Sequence, residues 1–109
     1  VAILEGMVMN ESVLGRDQLQ NLLRDFMAHH GADYHLQKIG FFGSYARDQA
    51  TAESDVDIVF ATDRPNLLTT SALKQDLEVL LGRKVDVIRL HQYLSPAFRD
   101  RIEKEAIYV

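Results

Sequence analysis

Three short apolar runs, each leading into a helical stretch, predict an α/β (α+β) chain in which a small mixed sheet carries helices packed on it. The runs are Leu36 to Phe42, Ser54 to Ala61 and Lys84 to Ile88, and after an opening helix the order is strand, helix, strand, helix, strand, helix. Size is the second observation: 109 residues, 47% hydrophobic and 26% charged, have room for one modest core and no second domain. The expected organisation is an N-terminal segment, 1 to 15, with no assigned role, followed by a single domain over 16 to 109.

Residues 1 to 15 show no clear period, and Met7 and Met9 offer alternative starts. From Arg16 to His30, Leu19, Leu22, Leu23, Phe26 and Met27 recur at helical spacing, and Gly31 supplies a stop. A first strand over Leu36 to Phe42 ends at Gly43-Ser44, and a short helix starts at Ser44 or Tyr45. After a polar loop, a second strand spans Ser54 to Ala61. Asp63-Arg64-Pro65-Asn66 breaks the chain, and Leu73, Leu77, Leu80 and Leu81 then trace a helix that ends at Gly82 and bridges to the third strand. Leu90 to Leu94 carries no clear signal. Ser95-Pro96 reads as an N-cap followed by a first-turn proline, and Phe98, Ile102 and Ala106 give the last helix one apolar face. Its other face mixes Arg99, Arg101 and Lys104 with Asp100, Glu103 and Glu105, the pattern of a solvated surface.

The chemistry concentrates between residues 40 and 57. A strand turning into a helix at Gly43-Ser44 presents free amides and the positive end of a helix dipole, and Gly43 permits close backbone approach. That suits a phosphate, although a plain turn with a serine cap has the same sequence. Arg47 is placed either to swing back to a phosphate or to the acids, or to stand in solvent. Asp55 and Asp57 sit at the entrance of the second strand, where alternate side chains share a face with Cα atoms about 6.6 Å apart. They can converge on one hard cation, on a pair about 3.5 to 4 Å apart, or simply cap a strand end. Asp86 stands in the middle of an otherwise β-branched strand, where a buried unpaired carboxylate would be costly. It faces solvent, pairs with a base such as Lys84, or joins Asp55 and Asp57 around metal, the option that three acids beside a Gly-Ser turn favour.

Gly43-Ser44, ten residues, then Asp55-Val56-Asp57, with Asp86 as a later third acid, resembles the minimal nucleotidyltransferase family of the DNA polymerase beta-like superfamily. The fuller string Gly-Ser-Tyr-Ala-Arg before Ser-Asp-Val-Asp carries the resemblance, which runs from about Leu19 to Val109. Asp48 departs from it, since many relatives have Gly there, and the departure falls on loop 48 to 53. The resemblance implies the polymerase beta-like fold, two Mg²⁺ ions on Asp55, Asp57 and Asp86, and ATP as substrate with Gly43, Ser44 and Arg47 on its phosphates. It implies catalysis by the same three acids, with AMP passing to a hydroxyl. Small family members act as antitoxins to a HEPN-domain ribonuclease encoded beside them, so a HEPN-domain partner is expected here too. Transfer to a small-molecule acceptor, and neutralisation of the partner by contact without catalysis, are the alternatives.

Composition narrows the remaining classes. A net charge of −4 argues against holding extended nucleic acid by a general positive field. The absence of cysteine excludes disulfides, thiolate metal sites and thiol nucleophiles. His29, His30, His35 and His91 lack the spacing of a ligand set, and His29 and His30 instead complement a helix end. No apolar run has the length of a membrane span, and Val1 to Leu4 lacks the form of a signal peptide, so no membrane partner and a cytoplasmic location are expected. Homo-oligomerisation is left open.

Overall fold

The fold is that of a computed structural model, described for residues 14 to 109. The elements are α1 (Arg16–His30), a 3₁₀ turn (Gly31–Tyr34), β1 (Leu36–Phe42), α2 (Gly43–Ala46), β2 (Val56–Thr62), α3 (Leu67–Leu81), β3 (Val85–Arg89), α4 (Pro96–Glu105) and β4 (Ile107–Tyr108). They form a four-stranded mixed sheet in the order β3-β2-β1-β4. β1 runs antiparallel to both β2 and β4, while β2 and β3 are parallel and joined by α3 as the crossover such a pair requires. Of the segment 1 to 15, all but Leu14 and Gly15 lies outside the described residues.

Period-two alternation gives the sheet two apolar faces. On one, Ile39, Phe41, Val56, Ile58, Phe60 and Val85 pack against Leu19, Leu23 and Phe26 of α1 and Leu73, Leu77 and Leu81 of α3. On the other, Phe42 and Val59 pack against Ile102 of α4, with Ile88 and Phe98 at the margin. α1 and α3 therefore cover one side and α4 the other. The side covered by α4 also receives Asp57 and Asp86, which alternate with the core residues of β2 and β3.

Local capping fixes the helix ends. The Asn66 side chain accepts hydrogen bonds from the amides of Leu68 and Thr69 at 2.8 and 3.2 Å, so α3 begins before its buried stripe. Ser95 accepts from the Phe98 amide at 3.3 Å with Pro96 in the first turn, as the sequence predicts. α1 ends at His30 with Gly31 as its C-cap, as expected, before a 3₁₀ turn that runs until His35 takes the left-handed conformation at φ 54°. Two expectations need correction. Leu80 is 40% exposed and lies outside the core stripe. The sheet has a fourth strand, β4, which two residues are too few to announce.

β4 seats on β1 at Gly40, which pairs with Tyr108. A Cβ added to Gly40 would lie 2.5 Å from the Ile107 carbonyl oxygen and 2.9 Å from Tyr108 Cδ1. Backbone cannot swing aside as a side-chain tip can. Gly40→Ala is therefore expected to cost about 1–3 kcal/mol, the usual range for overpacking, read as a lower urea midpoint at an unchanged m value. An unchanged midpoint would show that β4 is not held at this contact.

Candidate active site

β1 ends at Phe42, which pairs with Asp57 across the antiparallel ladder. The chain then turns at Gly43 with φ 70°, and α2 rises over the start of β2. The approach is close: a Cβ on Gly43 would fall 2.2 Å from Asp57 Oδ2. On the other side of Asp57 the parallel ladder sets Asp86 directly in register. The pair thus stands side by side on one face, with Asp57 partly buried and Asp86 exposed to solvent. Its exposure removes any need for Lys84 to neutralise Asp86 in a core. Asp55 lies one residue before β2 begins, and its charge acts on Asp57.

The charges register this proximity. Burial first, then the charges of Asp86 and Asp55, push the Asp57 carboxyl above the usual range against the pull of Arg101 and Arg47. Among the described residues, no three His, Cys, Asp or Glu side chains are gathered around one point that could hold a metal ion. The donor set still suits a hard cation by type and placement: oxygen only, from two neighbouring strands, with mutual repulsion that a cation would relieve. A cleft of about 390 Å³ opens over Asp57 and Asp86, walled by Phe42, Ile88 and Phe98 and flanked by the cations Lys74 and Arg101. A larger groove of about 510 Å³ lies between α1 and α3, lined by Phe26, His29, His30, Tyr34 and Val79, and it contains none of the three acids.

Sequence-predicted residues meet only in part. Gly43, Asp57 and Asp86 stand next to one another, Gly43 against Asp57 and Asp57 in register with Asp86. Ser44 lies partly buried in α2, and its carbonyl accepts the Gln49 amide at 2.8 Å, closing the turn before loop 48 to 53. Asp48 adopts φ 59°, a conformation that glycine takes freely and aspartate tolerates, so the loop keeps a glycine-like backbone. Arg47 is exposed, and its side chain is tied to Glu105 and Gln49 rather than to the three acids. Its Nη1 donates to Glu105 Oε1 at 3.0 Å and its Nε to Gln49 Oε1 at 3.1 Å.

Three further residues reach the site unannounced. Lys74 comes from α3; Arg101 and Glu105 come from the face of α4 that reads as a solvated surface. Glu105 Oε2 accepts the Gly43 amide at 3.3 Å and lies 3.5 Å from Arg101 Nε. Desolvation is the largest single influence on Glu105 and raises it. The Gly43 amide, the Arg47 hydrogen bond and the charges of Arg101 and Arg47 together outweigh it and hold the carboxyl below the usual range. The only advance signal for these residues would have been the knowledge that α4 covers the Asp57 face.

Known proteins share this fold. The nucleotidyltransferase domain family matches residues 21–109. The protein adenylyltransferase MntA of Thermococcus cleftensis is 30% identical over 99 residues, spanning 90% of this chain and 99% of its own. A solved structure assigned as a minimal nucleotidyltransferase superposes with a TM-score of 0.72 at 31% identity, over 85% of this chain and 94% of that one. A complex of a tri-AMPylated Shewanella oneidensis HEPN toxin with an MNT antitoxin shares the fold at a TM-score of 0.54 and 23% identity, over 85% of this chain and 66% of that one. Among the described residues no helix is long and apolar enough to cross a membrane. With its family's domain matched across most of its length and the acids standing under the Gly43 turn, the chain belongs to the nucleotidyltransferases, of the minimal type.

Proposed function

We propose that this nucleotidyltransferase moves AMP from ATP to a hydroxyl of a partner protein, a HEPN-domain toxin, and thereby acts as its antitoxin. The observation that carries the chemistry is the in-register pair Asp57 and Asp86 under the Gly43 turn, with the charge of Asp55 acting on Asp57. The choice of AMP and of a protein acceptor is supported by the protein adenylyltransferase that this chain resembles at 30% identity. The HEPN partner is supported by the AMPylated complex that shares the fold.

In this reading Asp55, Asp57 and Asp86 hold magnesium. When bound, the cation neutralises triphosphate charge and stabilises the entering and leaving oxygens. The chain's own groups do the rest. The Gly43 amide, the Ser44 hydroxyl and Arg47 hold phosphate oxygens and fix the triphosphate, while the apolar wall of Phe42, Ile88 and Phe98 limits water in the cleft. The acceptor hydroxyl attacks the α-phosphorus, the bond from that phosphorus to the bridging oxygen breaks, and pyrophosphate leaves. Asp86, exposed at the open side of the pair, takes the hydroxyl proton.

The test is transfer from α-labelled ATP with magnesium to the product of the neighbouring gene, run against Asp55→Asn/Asp57→Asn. Label should appear on the partner and be lost with the double variant. If no nucleotide labels a partner that still co-purifies, neutralisation by contact replaces the enzymatic reading.

A further inference from the structure

One carboxylate already occupies the place that the proposed function gives to phosphate. Glu105 sits in the last turn of α4 and reaches back across the site to groups far away in the chain. Its Oε2 accepts the Gly43 amide at 3.3 Å and its Oε1 accepts Arg47 Nη1 at 3.0 Å. Arg101 Nε approaches Oε2 to 3.5 Å, which brings the two guanidinium groups to one carboxylate. Two of these three donors, the Gly43 amide and Arg47, are the ones a triphosphate would use. The third, Arg101, also lines the cleft over Asp57 and Asp86.

We propose that Glu105 is a built-in phosphate surrogate: it holds Arg47 and Arg101 together at the Gly43 amide in the nucleotide-free protein, and the phosphates of the incoming nucleotide displace it. Arg101 thereby becomes a second phosphate-binding arginine. This rests on the nucleotidyltransferase reading of the site.

Geometry and charge favour exchange over coexistence. One amide hydrogen cannot serve a carboxylate and a phosphate at full strength, and guanidinium edges bind either anion in the same planar manner. Asp55, Asp57 and Asp86 already crowd negative charge around the cleft, so a triphosphate arriving beside an undisplaced Glu105 would meet a fourth carboxylate. A path for release exists, because the Glu105 side chain reaches solvent over 22% of its surface and the backbone leaves the helix at the very next residue, Ala106. The freed carboxylate turns into water. An ordinary surface ion pair on α4 would need only Arg101, four residues earlier, as Lys104 and Asp100 show. The contacts to Gly43 and Arg47 go beyond that pattern.

Equilibrium binding of magnesium ATP to the full chain, measured by calorimetry, tests the exchange. Glu105→Gln keeps the size of the side chain and removes the competing charge, so its Kd should fall roughly fivefold to tenfold below wild type. Arg101→Gln should raise Kd roughly tenfold, the loss of one charged hydrogen-bond donor. Glu103→Gln, an equal charge change at an exposed neighbour outside the site, should leave Kd within about twofold. In Arg101→Gln/Glu105→Gln the gain from Glu105→Gln should shrink, because the surrogate acts through that arginine. Equal tightening by Glu103→Gln would reduce the effect to general charge and overturn the proposal. Weaker binding by Glu105→Gln would overturn it as well, making Glu105 a positioning residue for the arginines. If wild type and every variant fail to bind ATP, the nucleotidyltransferase reading of the cleft falls first, and the surrogate with it.

Discussion

Asp57→Asn should abolish transfer and, in the nucleotide-free protein, raise the melting temperature. The two effects share one cause. Burial, then the charges of Asp86 and Asp55, hold the Asp57 carboxyl above its ordinary value despite Arg101 and Arg47. A folded-state pKa above the unfolded one means that the native protein binds the proton more tightly, so stability is lost as pH rises from the unfolded value of 3.8 through the folded one. The penalty is complete once the pH exceeds the folded value. Asparagine keeps the shape without the charge, so Tm at pH 7 should rise by a few degrees, and the gain should vanish at acid pH, where wild-type Asp57 is itself protonated. Activity should fall on the order of 10³-fold or more, because a group that organises charge at the reacting phosphate is lost. Magnesium ATP should stabilise wild type by mass action and leave the variant largely unmoved. Retained transfer would remove Asp57 from the chemistry, while an unchanged or lower Tm at pH 7 would mean that the acids do not strain the fold.

How much of this was legible in advance depends on the distance over which each signal acts. α1 matches its sequence bounds because its apolar stripe is local, and Ser95 and Asn66 cap helices through amides two or three residues away. Asp55 and Asp57 can be placed on one face by alternation alone. Asp86 was conspicuous as a charge among β-branched residues, and the parallel register then set it beside Asp57. What escaped depends on partners distant in the chain. β4 exists because β1 offers it a free edge at Gly40 and Phe41, and no property of Ile107 and Tyr108 alone could show that. Glu105 and Arg101 look like an ordinary i, i+4 surface pair in sequence. Only the packing of α4 against Phe42 and Val59 turns that face toward Gly43 and Arg47, 62 and 58 residues before Glu105. Arg47 shows both sides of the limit: its place in the motif is readable, but its partner is not.

Gly43→Ala tests the coupling between turn and acid, and its outcome should differ in kind from that of Gly40→Ala. At Gly43 the backbone has φ 70°, where an alanine costs about 1–2 kcal/mol through the clash of Cβ with backbone. The added methyl also meets Asp57 Oδ2 at 2.2 Å and Asp57 Cγ at 3.2 Å. A carboxylate can rotate away, unlike the Ile107 carbonyl that faces Gly40, so part of the collision is relieved by moving the acid itself. The expected result is a moderate loss of stability, roughly 4–8 °C in Tm for each kcal/mol lost in a domain of this size, together with a disproportionate fall in transfer of about 10²-fold or more. The steric share can be isolated in a cycle with Asp57→Ala. Without the carboxylate, Gly43→Ala should cost only its backbone part, so the two substitutions should be non-additive in stability. Strict additivity would mean that the turn and the acid do not press on one another. An undiminished transfer rate in Gly43→Ala would go further, because the close approach of the turn to Asp57 could then play no part in orienting the acid.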